Sequence, residues 1–240
     1  MARTRSRRRT GGTLRRWMLR GVALLALAAI VFAAWFWWDM RTWRPSESLY
    51  PEQGAVVRSD TGALNFVTLK AIGAQFAYLE LAPEPGAIDE GFAERYRRAR
   101  AAQLQVGVIY PFDPCQRADP QSQLFTRMVP RDAGLLPPAI ALTATGDQCA
   151  EPVSEAAVEN EVLTLVNQIE MHAGKPAILK LGKAFEQRHG TATSLQRDLW
   201  LMRDRARPDY APRPWLLWSA NSQMVSEAAE EPVEWVVVQR

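Results

Sequence analysis

The side chains able to do chemistry in this sequence are mostly carboxylates. Glu80 and Glu84 close one apolar run, Asp113 and Asp147 follow two others, and Glu234 sits within the last. Two carboxyls near each other, one protonated and one ionised, suffice for general acid and base work. Glu80 stands out because it interrupts an otherwise apolar strand, where burial raises a carboxyl pKa; Arg58 or Lys180 would be its partner. Asp113 and Asp147 occupy the turn-like contexts FDPC and TGDQC and read equally as turn formers. Only two histidines are present, His172 in a helical stretch and His189 beside a glycine, so a Ser-His-Asp or Cys-His mechanism and a zinc site are disfavoured. Cys115 and Cys149 lack the C-x-x-C spacing of redox pairs and are compatible with one disulfide in an oxidising compartment. No metal and no cofactor is expected.

The elements that must hold these groups alternate between strand and helix. Strands are read at 54–59, 75–82, 106–112, 137–145 and 175–182, and helices at 66–73, 91–103, 121–129 and 155–174. Asp89 is read as the cap of the second helix and Gly174 as the stop of the last. The runs LWLMRD, WLLWSAN and VEWVVVQ follow with no room for helices, joined in part by the proline-rich segment 205–215. The pattern predicts an α/β barrel that begins in βα units and ends in β hairpins.

Charge separates the body from its N-terminus. The whole chain carries +3, but eight of its 29 basic residues lie in the first twenty positions, leaving 21 against 26 acidic groups, a net of −5 for the remainder. Such a body repels phosphate, and no nucleic-acid partner is expected. Residues 21–38 carry no charge across eighteen positions, with Trp35, Trp37, Trp38 and then Trp43 at the far end as an interfacial belt. The reading is a basic cytoplasmic tail (1–20), a transmembrane helix (21–38), a linker (39–52) and a barrel (53–240) outside a bacterial inner membrane. A cleaved signal peptide, or a twin-arginine signal built on Arg15 and Arg16, is the alternative.

Six segments, in order, resemble glycoside hydrolase family 25, the Chalaropsis-type lysozymes or muramidases. They are FAYLELAPE, IDEGF with ARAAQLQVGVIYPF, LLPPAIALT, PAILK, DLWLM and WLLWSA. The resemblance covers about residues 50–238 and implies an irregular β/α barrel that acts on peptidoglycan with paired carboxylates. It places the family's acidic positions on Val56, Ala141, Thr143 and Glu234, so three of four have lost their carboxyl. Its aromatic positions fall on Ile109, Leu179 and Ala220. The chain is therefore expected to be a divergent member with little or no hydrolysis. Any surviving acid pair would come from Glu80, Glu84 and Glu234, with Tyr78, Tyr110, Asp113 and Trp218 contacting substrate. Adjacent rim loops would then join Cys115 to Cys149 in a disulfide. The expected partner is peptidoglycan glycan or, on a second reading, a cell-envelope protein that binds a retired hydrolase scaffold. On that second reading, Val56, Ile109, Leu179 and Trp218 would seal the rim.

Overall fold

A computed structural model describes residues 11–81 and 88–239, with the backbone alone for 11–15. The chain divides into two compact units, Met1–Thr42 and Trp43–Arg240. In the first, helix α1 (Gly11–Thr42) contains a 27-residue stretch, Arg16–Thr42, long and apolar enough to cross a membrane. None of the apolar window of this stretch is buried in protein, and the Arg41 guanidinium lies 4.3 Å from the Trp37 ring centre.

The second unit is a closed barrel of eight strands in sequential order. They are β1 (Gln53–Val57), β2 (Phe76–Glu80), β3 (Gln105–Pro111), β4 (Ala139–Leu142), β5 (Ile178–Leu181), β6 (Asp198–Met202), β7 (Leu217–Met224) and β8 (Val233–Val238). Strands β1 to β7 run parallel, and β8 closes the barrel antiparallel to both β7 and β1. Helices α2 (Phe66–Ala71), α3 (Phe92–Ala101), α4 (Ala118–Met128), α5 (Glu155–Ala173), α6 (Lys183–His189) and α7 (Thr191–Ser194) occupy the crossovers. This is the irregular β/α barrel that the resemblance implied.

Every residue of β1, β4 and β5 is buried, as expected of parallel strands covered on both faces. The period of two divides them between two cores. Ala55, Val57, Ile140, Leu142, Leu179 and Leu181 face outward into the layer shared with the helices, to which α5 contributes Val158, Val162, Leu165, Val166 and Ile169. Val56, Ile109, Ala141, Ile178, Trp200 and Val236 face inward, together with Phe76 and Tyr78. Gly54 and Gly107 make room for the last two rings, because a Cβ at either glycine would strike Phe76 or Tyr78.

Two expectations need correction. Gly91, not Asp89, is the N-cap of α3; the Asp89 carboxylate instead pairs with Arg95, and its carbonyl accepts from the Phe92 N–H. β6 and β7 are parallel neighbours, so only β7 and β8 form a hairpin. The short helices α6 and α7 were not anticipated. Within the segment 39–52 read as a linker, Trp43 and Tyr50 pack onto the barrel. Trp43 meets Trp218, the Asn221 amide donates to the Trp43 carbonyl at 2.8 Å, and Tyr50 stacks against Trp215. Trp43 is thus a barrel residue and not part of a membrane belt.

Candidate functional site

The parallel strands all end on one face, the barrel's mouth, where this architecture gathers its chemistry. Register places the four acidic positions of the resemblance around it. Val56 on β1 is the register partner of Glu234 on β8, Ala141 on β4 is the partner of Lys180 on β5, and Thr143 follows β4. Val56 and Ala141 put isopropyl and methyl groups at positions where the resemblance calls for carboxylates. Lys180 stands beside Ala141 on the neighbouring strand.

The Lys180 ammonium lies 2.8 Å from each carboxylate oxygen of Glu234, with the two side chains only 5% and 14% exposed. It also lies 4.9 Å from the centre of the Trp200 ring, a cation over an aromatic face. The Trp200 indole N–H donates to the Ser219 hydroxyl at 2.7 Å, and that hydroxyl donates to Glu234 Oε1. The Tyr78 ring meets Trp200 edge to face with centroids 4.9 Å apart. Glu234 is therefore held by charge and by hydrogen bonds on both sides, an arrangement suited to a buried ion pair.

Glu80 borders the same network at the end of β2. Burial raises its carboxyl pKa, and the nearby carboxylates of Glu234 and Asp60 push the same way against Lys180 and Arg58. Of the two partners expected for it, Lys180 is bound to Glu234, and Arg58 pairs with Asp60 at 3.0 Å. Glu80 thus lies near enough to Glu234 for the charge of one carboxylate to act on the other. Glu84 lies outside the described residues.

The remaining expected residues are placed differently. Tyr78 fills the interior, and its hydroxyl donates to the Pro137 carbonyl at 3.1 Å, near the opposite end of the barrel. Burial holds the Tyr78 phenol above its ordinary pKa. Tyr110 and Trp218 point outward into the layer under the helices, both nearly inaccessible. Tyr110 packs edge-on against Phe125, and burial pushes its pKa up to about 12. The Trp218 indole donates to the Arg203 carbonyl at 2.8 Å. Leu179 and Ala220 also lie in the outer layer, so among the aromatic positions only Ile109 faces the interior. An apolar seal built from Val56, Ile109, Leu179 and Trp218 does not form, because two of the four face away.

Asp113 shapes the loop after β3. One of its oxygens accepts from the Cys115 N–H at 2.8 Å, and its own N–H donates to Gln121. Cys115 and Cys149 form the expected disulfide, which ties this loop to the one after β4. Beside it, a hydrogen bond with Thr145 and an ion pair with Arg188 at 3.1 Å keep Asp147 below the usual carboxyl range. Among the described residues, no cluster of His, Cys, Asp or Glu is arranged to hold a metal. The residue missed by sequence reasoning was Lys180 as the partner of Glu234. Its signal was a cation inside the buried run ILKL.

The family model for glycosyl hydrolases family 25 matches residues 57–227, from the end of β1 into the β7–β8 hairpin. A family 25 glycosyl hydrolase from Bacillus anthracis shares the fold with a TM-score of 0.73 at 20% identity, over 82% of this chain and 92% of its own. A lysozyme from Streptomyces coelicolor follows with 0.66 at 16%, over 79% and 92%. A family 25 lysozyme from Aspergillus fumigatus gives 0.63 at 16%, over 79% and 94%. No curated protein sequence matches this chain. The barrel common to these structures, and a family model that spans most of the chain, lead to one assignment: this chain belongs to glycosyl hydrolases family 25.

Proposed function

We propose that the chain is a membrane-anchored family 25 domain that holds peptidoglycan glycan at its barrel mouth without cutting it. The observation that carries this reading is the Lys180–Glu234 ion pair, set in a mouth whose other acidic positions are Val56, Ala141 and Thr143. Glycoside hydrolysis needs one carboxylic acid to protonate the leaving oxygen and one carboxylate free to meet the cationic sugar or activate water. Thr143 has no proton to give in this pH range. The Glu234 carboxylate is already bound to an ammonium and a hydroxyl. The scaffold positions a sugar, and the chemistry is withheld. The uncharged stretch in α1 and the arginines before it support an anchor with the N-terminus in the cytoplasm and the barrel on the wall side.

One observation favours a second reading. Glu80, with its raised pKa beside Glu234, has the character of a proton donor, so a relocated acid pair is the competing proposal.

The test uses the full chain in detergent micelles with purified peptidoglycan sacculi, measuring both released reducing ends and co-sedimentation. Binding without release of reducing ends is the expected result. Turnover that disappears in Glu80→Gln would establish the relocated pair. Failure to sediment would instead favour a cell-envelope protein partner.

A further inference from the structure

Among the described residues, five buried side-chain atoms lack a hydrogen-bond partner, and two of them are the ring nitrogens of His189. A neutral imidazole carries one donor and one acceptor, and hiding both unpaired costs free energy that the fold must offset elsewhere. The other histidine is satisfied, with His172 Nε2 2.8 Å from the Val129 carbonyl. The mouth makes no use of His189, so its burial calls for another account.

His189 ends α6, and its side chain is only 1% exposed. Its ring lies against Phe185 with centroids 4.4 Å apart. One carboxylate faces it. Glu159 Oε1, on the second turn of α5, is 3.5 Å from Nδ1, close enough for a charge pair and beyond the about 3.2 Å of a well-made N–H···O bond. Glu159 is half exposed and borders a cavity of about 230 Å³, lined also by Val162, Phe185, Thr191 and Leu195, so its side chain has room to move. The other charged groups of the surrounding elements are engaged. Arg188 holds Asp147 at 3.1 Å and Glu155 at 3.0 Å, and Glu186 accepts from the Ala192 N–H at 3.0 Å. Glu161 accepts from the Ala118 N–H at 2.6 Å, and Arg213 donates to the Ala192 carbonyl. Lys183 stands at the opposite end of α6.

We propose that His189 and Glu159 form an acid-closed clasp between α6 and α5. Imidazole changes charge between about pH 5 and pH 8. At the upper end of that range the ring is neutral and unpaired. A buried imidazole takes a proton only where an anion meets it, and Glu159 is that anion. As pH falls, Nδ1 becomes a charged donor and draws the carboxylate in to accept from it. Arg188, the neighbour of His189, already ties α6 to Asp147 in the loop after β4. Closing the clasp therefore also steadies that loop, which carries Cys149 beside the mouth. The device is independent of whether the mouth holds glycan.

The experiment follows isotope-labelled histidine in the full chain, in detergent micelles, by NMR between about pH 8 and pH 5. His172→Gln identifies the His189 signal. Amide hydrogen exchange, corrected for the intrinsic effect of pH, reads the clasp itself. The His189 ring is expected to gain a proton within this range, and protection of α6 and of residues 143–149 to rise with it by roughly threefold, the scale of a half-exposed ion pair. Glu159→Gln should weaken the proton affinity of the ring by roughly the same factor and remove the gain in protection. His189→Phe, which keeps a ring on Phe185 and has no nitrogen to leave unpaired, should melt at or above the wild-type temperature near neutrality and show no gain. If His189→Phe folds poorly, Glu159→Gln, a change at a half-exposed side chain, decides the matter. A ring that keeps one charge state throughout, a titration unmoved in Glu159→Gln, or protection that does not follow the titration would overturn the clasp.

Discussion

At the scale of single residues, the mouth depends on one lysine. Replacing Lys180 with Met leaves Glu234 largely buried without its counter-charge, which costs about 3 kcal/mol. Thermal melts should show a drop of roughly 6 to 12 °C for a domain of this size. The double variant Lys180→Met, Glu234→Leu removes both charges and should regain most of that loss, since a buried pair and its apolar substitutes are often close in stability. A double variant as unstable as the single one would count against the ion pair as the main interaction. Glu80 gives a prediction of opposite sign. Its native pKa lies above the ordinary 4.5, so the folded state holds that proton more tightly than the unfolded chain does. Its ionisation therefore destabilises the fold as pH rises from about 4.5 through the raised value. Glu80→Gln should melt like wild type at acid pH and at higher temperature near neutrality. A Tm difference independent of pH would contradict this. Lys180 could be read from the sequence as a cation in an apolar strand; its partner could not, because Glu234 lies 54 positions away across the barrel. The outward direction of Tyr110 and Trp218 was within reach of the alternation of strand faces, since Ile109 faces in and its neighbour must face out.

At the scale of elements, the disulfide joins two loops that leave adjacent strands on the mouth side. Cys115 and Cys149 are 34 positions apart, and opening a loop of that length costs on the order of 3–4 kcal/mol through the unfolded state. Cys115→Ala with Cys149→Ala should lower the melting temperature accordingly, and reductant should lower that of the wild type but not of the variant. The parallel strands were legible because strands buried on both faces appear as short unbroken apolar runs. Strand direction was not. Apolar runs close in sequence suggest a hairpin, yet β6 and β7 are parallel across an irregular connection that contains the proline-rich segment. Helices α6 and α7 escaped notice because seven and four residues are too few for an apolar stripe to declare itself.

At the scale of the whole molecule, the two units make separable predictions. If α1 anchors the chain, the full-length protein should stay with membranes through high salt and alkaline carbonate, and residues 43–240 should be released. A full-length product shortened within α1 and recovered in the soluble fraction would instead identify a cleaved signal. The charge difference between tail and body was plain in composition, and so was the apolar span. The boundary was not, because Trp43 looks like an interfacial aromatic until its partner Trp218 is brought beside it. The closing strand has a further consequence, in time. β8 seals the barrel against β1, and the Trp235 indole donates to Gln53 across 182 positions. At synthesis rates of about 5–20 residues per second, roughly 10 to 35 seconds separate the emergence of these two strands. For that interval β1 has an unsatisfied edge, so the nascent chain offers chaperones a substrate that cannot yet lock itself shut.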